Sequence, residues 1–132
     1  MLQPAPSPLL KVVLIEDSLL VRQTMGAVLG ELAGLEVVGG AADEAAALDL
    51  LQRQRPDLAI VDLQLRSGSG LGVLQALARD PARFGHPRAV VFSHHNYAVL
   101  RERCLALGVE RFFDKATQMG DLLAYVRQAV LS

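Results

Sequence analysis

An α/β fold, a doubly wound parallel sheet of five strands in a (βα)5 order, is what this sequence predicts. Three observations predict it. Five short apolar runs, residues 12–15, 37–41, 58–61, 89–92 and a weaker 111–113, alternate with longer segments of helical periodicity. The first, third and fourth runs are nearly all apolar, without strict alternation, as strands covered on both faces must be. The chain has 132 residues, 52% hydrophobic and 20% charged. That supplies apolar matter for one core and leaves no room for a second domain of ordinary size.

Residues 1–9 precede the first strand. Three prolines and no basic cluster occur in the first eight residues, so the segment reads as a flexible tail and not as a secretion signal; the domain is expected over residues 10–132. After the first strand, Val21, Met25, Val28, Leu29 and Leu32 fall at i, i+4, i+7, i+8 and i+11. Ser18 is placed to cap the start of that helix and Gly34 its end, although Gly26 and Gly30 inside it each cost about 1 kcal/mol of helix propensity relative to Ala. The second helix is expected over residues 44–55, stopping before Pro56. The third covers about 71–79 with Leu71, Leu74, Leu77 and Ala78 inward. The fourth places Leu100, Cys104 and Leu107 on one face and ends at Gly108. The last aligns Met119, Leu122, Leu123, Val126 and Val130. Cys104, on an apolar face, reads as core filling.

Composition excludes several classes of function. With 13 Lys+Arg against 14 Asp+Glu, the formal net charge is −1, so the basic excess or stripe that marks nucleic-acid binding is not visible. No apolar run is long enough to span a bilayer. A single cysteine forbids a disulfide within the chain and fits a reducing compartment; a cytoplasmic location is expected.

In open α/β sheets, ligands bind beyond the carboxyl ends of the strands. At those ends stand Glu16 and Asp17 after the first run, Asp62 after the third, Ser93 after the fourth, and Asp114 and Lys115 after the fifth. Each has an ordinary reading when taken singly: adjacent acids in a solvated loop near a helix start, an Asp or Ser in a turn, a solvated Lys. Together they are more specific, since each occupies the same end of a different strand. Carboxylates brought close repel and raise one another's pKa unless a cation intervenes. A hard dication with oxygen ligands, Mg²⁺ or Mn²⁺, resolves this. The charges of Glu16, Asp17, Asp62, one dication and Lys115 then cancel.

At this point the chain resembles the receiver domain of two-component response regulators, of the single-domain chemotaxis type. The likeness runs from about Leu10 to Leu131. It is carried by strand-Glu16-Asp17-Ser18, by Asp62-Leu63-Gln64-Leu65 and Gly68-Ser69-Gly70-Leu71, by strand-Ser93 and by Phe112-Phe113-Asp114-Lys115; the stretch from Leu35 to Asp43 also resembles the second βα unit of many members. The resemblance implies the flavodoxin-like strand order 2-1-3-4-5. It also implies that Asp62 is phosphorylated, that Asp17 and Asp62 bind Mg²⁺ (or Mn²⁺) directly with the backbone carbonyl of Gln64, and that Glu16 acts through a metal-bound water. Lys115 would pair with a phosphoryl oxygen, Ser93 would turn to hydrogen-bond it, and Phe112 would swing inward as Ser93 moves. The implied partners are a histidine kinase or histidine phosphotransfer protein and an unknown downstream target on the face of the fourth helix, fifth strand and fifth helix. A homodimer is compatible, while nucleic acid and membrane are not expected as direct partners. No enzyme activity is expected beyond self-phosphorylation and self-dephosphorylation. No output domain follows the last helix, so the chain is expected to act alone, as a relay, or as part of something longer.

Some positions depart from the family pattern. His94 replaces a small residue and is expected to narrow access to the phosphoryl group. Ala116 replaces a common proline, which puts the usual loop geometry in doubt because a cis peptide is unfavourable without one. Phe112 lacks a tyrosine hydroxyl, so any switch through it works by packing, and Arg66 and Ser67 stand where a Pro-Asp-like pair is common. The adjacent His94 and His95 lack the spacing of a transition-metal site. Three rivals stay open. An aspartate-nucleophile phosphatase would want an acid where Gln64 stands. A receiver working without phosphorylation would not need Asp62 and Lys115. A flavin-binding domain would find its phosphate repelled by Glu16 and Asp17.

Overall fold

The computed structural model describes residues 9–132; the tail expected over 1–9 lies outside the described residues apart from Leu9. The elements are β1 (Leu10–Ile15), α1 (Leu19–Gly30), β2 (Leu35–Ala41), α2 (Glu44–Gln54), β3 (Leu58–Val61), α3 (Gly70–Arg79), a 3₁₀ turn (Pro81–Phe84), β4 (Arg88–Ser93), α4 (Ala98–Ala106), β5 (Arg111–Asp114) and α5 (Met119–Leu131). The strands form one sheet in the order β2-β1-β3-β4-β5, and every neighbouring pair is parallel. The expected fold class and strand order are both present.

Alternation within the buried strands explains the continuous apolar runs. Val13, Ile15, Ala59, Val61, Ala89 and Val91 point to one face and pack with Leu50, Leu51, Val73, Leu74 and Cys104 of α2, α3 and α4. Val12, Leu14, Leu58, Ile60, Val90 and Phe92 point to the other and meet Met25, Leu29, Leu122 and Val126 of α1 and α5. Leu51, Leu58, Leu74 and Leu122 are fully buried, each contributing about 2 kcal/mol relative to an exposed side chain. Ser18, Asp43 and Ser69 cap α1, α2 and α3, accepting from the amides of Val21, Ala46 and Gly72 at 3.2, 2.8 and 3.0 Å.

Three expectations need correction. α1 stops at Gly30 and does not reach Gly34. The Glu31 amide turns to the Val28 carbonyl right after a glycine that weakens propagation, and Leu32 packs on the core from outside the helix. Gly34 serves the reversal into β2 instead, at φ +86, where a Cβ would lie 2.5 Å from Val130 Cγ1. α2 ends one residue early. Arg55 adopts a left-handed conformation at φ 46, ahead of Pro56, and its guanidinium donates to the carbonyls of Arg83 and Ala82 at 3.1 Å each. On α3, Ala78 is exposed and Val73 is buried in its place, because the contact stripe runs through Gly70, Val73, Leu74 and Leu77. Cys104 is fully buried as expected, and burial raises its thiol pKa. Among the described residues no helix is long and apolar enough to cross a membrane.

Candidate functional site

The parallel register brings the strand ends level. Ile15 pairs with Val61 and Val61 with Val91, while Ser93 pairs with Asp114. Backbone bonds then hold the residues just beyond: the Asp62 amide donates to Ile15 O at 2.8 Å, the Glu16 amide to Ala41 O at 2.9 Å, and the Lys115 amide to Ser93 O at 3.1 Å. Among the described residues the buried polar or charged side chains are Glu16, Asp62 and Ser93, and all three belong to this one place. A protein buries carboxylates only against compensating partners.

The partner is Lys115. Its Nζ donates to Glu16 Oε2 at 2.5 Å and to Asp62 Oδ2 at 2.6 Å. One ammonium therefore serves two buried carboxylates, and their protonation is unequal. Burial pushes the Glu16 carboxyl up to about 7, helped by the Asp62 charge and only partly offset by Lys115. Burial also raises Asp62, but hydrogen bonds from Lys115 and Ser93 outweigh it and hold that carboxyl below its ordinary value. For Lys115 burial acts downward, and the bonds to Asp62 and Glu16 outweigh it, so the ammonium is held above its ordinary pKa.

Asp17 is exposed beside this pair. Carboxylate oxygens of Glu16, Asp17 and Asp62 all lie within 4.8 Å of one another. An all-oxygen set of three acids with one ammonium fits a hard divalent cation. The Gln64 amide donates to Asp62 Oδ1 at 3.3 Å. The side chain of Gln64 turns outward, and its Oε1 meets His95 Nε2 at 2.6 Å. Ser93 Oγ accepts from the His95 amide at 3.2 Å, and its hydroxyl is among the groups that lower the Asp62 pKa. Phe112 is already inward, packed in the core beneath α4, with the Arg101 guanidinium 5.1 Å from its ring centroid.

The departures find their places. His94 is exposed and lines an open cleft of about 280 Å³ with Leu20, Met25, Lys115 and Met119 on the α1–α5 flank. No peptide among the described residues is cis. The Ala116 amide donates to Asp114 Oδ1 at 2.7 Å, a bond proline cannot make, and Lys115 still reaches both acids. Asp114 thereby faces its own loop and the loop before α4, from which Asn96 Nδ2 also donates to it, and not the acid cluster. Sequence reasoning missed Arg22, whose guanidinium donates to the Glu16 carbonyl at 2.5 Å. Nothing in the sequence pointed to it; the structure shows that Gly40 leaves the side chain room, since a Cβ there would come within 3.1 Å of Arg22 Cδ.

A family model described as response regulator receiver domain matches residues 12–127. A comparison with curated proteins gave no match. Among solved structures, the chain is similar to the signal receiver domain of the response regulator NarL from Mycobacterium tuberculosis, at 25% identity and TM-score 0.82, covering 96% of this chain and 99% of that one. It is also similar to the signal receiver domain of a DNA binding response regulator (merR) from Colwellia psychrerythraea, at 22% identity and TM-score 0.83, covering 92% and 98%. The BeF3-activated N-terminal receiver domain of RstA from Klebsiella pneumoniae follows at 23% identity and TM-score 0.79, covering 92% and 99%.

Proposed function

The chain belongs to the response regulator receiver domain family, and from that premise we propose that it accepts a phosphoryl group on Asp62 and changes a protein contact in response. The donor is a phosphohistidine on a histidine kinase or histidine phosphotransfer protein. The single observation that carries this reading is the bridging of two buried carboxylates by the Lys115 ammonium, at 2.5 and 2.6 Å, with Asp17 alongside.

Asp62 is the acid held ionised, and so is the nucleophile. Its oxygen attacks phosphorus, the P–N bond breaks, the bonding pair returns to the imidazole nitrogen, and an acyl phosphate forms. Lys115, already within reach, shifts its hydrogen bond from the carboxylate to a phosphoryl oxygen. Asp17, Asp62 and the Gln64 carbonyl, with Glu16 acting through water, would hold Mg²⁺ or Mn²⁺, which would supply positive charge to the phosphoryl group, most of what such a transfer requires. Arg22 and the Glu16 carbonyl fix the β1–α1 loop that carries two of the acids.

After transfer the Ser93 hydroxyl donates to the new group, releasing its bond from the His95 amide. Phe112 packs beneath the loop so vacated, its inward place covered by Arg101. The change is read on α4, β5 and α5. Exposed Tyr97 just before α4, and Val99 and Leu105 on it, support that surface, at 70%, 78% and 46% accessibility. The only chemistry proposed is gain and hydrolytic loss of the phosphoryl group on Asp62.

The test is incubation with acetyl phosphate or phosphoramidate and Mg²⁺, then intact-mass measurement of wild type and Asp62→Ala. One phosphoryl group on wild type alone is expected. No addition to wild type, or equal addition to the variant, overturns the proposal.

A further inference from the structure

The segment between β3 and α3 carries Gln64, and its backbone is held from two sides. Towards the sheet, the Gly70 amide closes on Leu63 O at 2.9 Å, and Gln64 forms an isolated antiparallel bridge with Ser69. Away from the sheet, the loop leans on the start of α2. The Arg66 amide donates to Ala42 O and the Glu44 amide to Ser67 O, both at 3.0 Å. The Ser69 amide donates to Glu44 Oε1 at 3.0 Å.

The space for this contact is built into both chain segments. A Cβ on Gly68 would lie 2.5 Å from Glu44 Cβ, and one on Gly72 only 2.2 Å from Glu44 Oε1. Capping of α2 does not account for the contact, because Asp43 already caps that helix through the Ala46 amide at 2.8 Å. The Glu44 side chain reaches past its own helix to the residue paired with Gln64.

We propose that Glu44 is a positioning residue for the cation site: its bond to the Ser69 amide holds the Gln64–Ser69 bridge, and with it the Gln64 carbonyl, where a dication needs it. This rests on the reading of Glu16, Asp17 and Asp62 as a Mg²⁺ site. Glu44 touches neither the ion nor the phosphoryl group. It acts through three links: carboxylate to Ser69, Ser69 to Gln64, and Gln64 to the site.

The experiment is calorimetric titration of Mg²⁺ into wild type, Glu44→Ala, Glu44→Gln and Gly72→Ala, with metal-free melting temperatures measured alongside. Outer contacts that orient metal ligands are worth roughly 10–100-fold in affinity, and Glu44→Ala is expected at about the ten-fold end. Glu44→Gln keeps an acceptor oxygen and is expected near wild type. Gly72→Ala pushes the carboxylate aside without removing it. It is expected to weaken Mg²⁺ binding like Glu44→Ala while its metal-free melting temperature holds or rises, since Ala propagates a helix better than Gly. A merely structural role would instead move affinity and melting temperature together. Wild-type affinity in Glu44→Ala and Gly72→Ala overturns the proposal. So does equal weakening in Glu44→Ala and Glu44→Gln, which would assign the effect to charge. Failure of wild type itself to bind Mg²⁺ removes the underlying site reading, and the inference falls with it.

Discussion

Glu16→Gln removes one charge from the crowded acid pair and leaves the side-chain shape. In the metal-free protein the Glu16 carboxyl is raised from 4.5 to about 7, chiefly by burial. Between those values the folded chain holds a proton that the unfolded chain has released, so stability falls as pH rises through this window and levels off above the folded value. At 1.36 kcal/mol per pKa unit the full loss is about 3 kcal/mol, most of it between pH 5 and 8. For a domain of this size 1 kcal/mol corresponds to about 3–5 °C, so the midpoint should drop by roughly 10 °C. Asp62 is lowered instead; its contribution is lost only in acid, below its ordinary value, and does not enter this window. The assay is thermal melting of wild type and Glu16→Gln in EDTA from pH 5 to 8.5 at constant ionic strength. Wild type should lose stability with rising pH, and the variant should lose much less. Saturating Mg²⁺ should recover most at the alkaline end, because binding requires the ionised acid. A flat wild-type profile, or the same slope in the variant, refutes the reasoning.

Other outcomes follow from the same contacts. Lys115→Ala leaves Glu16 and Asp62 facing each other without an ammonium; the rate of phosphoryl uptake from phosphoramidate should fall by about 10², while Mg²⁺ binding measured by calorimetry persists. Gly70→Ala would bring a Cβ to 2.0 Å from the Asp62 carbonyl oxygen and 2.8 Å from Leu63 Cα. Backbone must move, so urea unfolding should show a loss of about 3 kcal/mol or more; an unchanged midpoint would refute this. His94→Ala opens the flank beside Lys115, and the acyl-phosphate half-life should shorten several-fold by intact-mass time course. An unchanged half-life would remove His94 from the control of water access.

The strands and the acids at their ends were legible because both depend on local order along the chain. An apolar run of four to six residues followed at once by Glu16, Asp62 or Ser93 states where a strand stops and what stands beyond it. Parallel pairing then brings those stops level. Helix ends were less legible. Gly30 and Gly34 are equally good punctuation in sequence; that Gly34 sits in the reversal against Val130, nearly a hundred residues away, is visible only in the fold. Ala78 has the spacing of an inward residue, but the buried stripe of α3 runs through Gly70, Val73, Leu74 and Leu77 and leaves it exposed. The contacts of Arg22 and Glu44 were out of reach for another reason. Both side chains meet main-chain atoms, the Glu16 carbonyl and the Ser69 amide, and every residue offers such atoms alike.

The Gln64 amide donates to Asp62, the His95 amide donates to Ser93, and the His95 ring meets the Gln64 side chain. The loop after β3 and the loop after β4 are thus tied across the mouth of the site by one side-chain pair, with each loop also anchored to a residue that meets the phosphoryl group. A displacement of either loop is passed to the other through His95 and does not stay confined beside the acid.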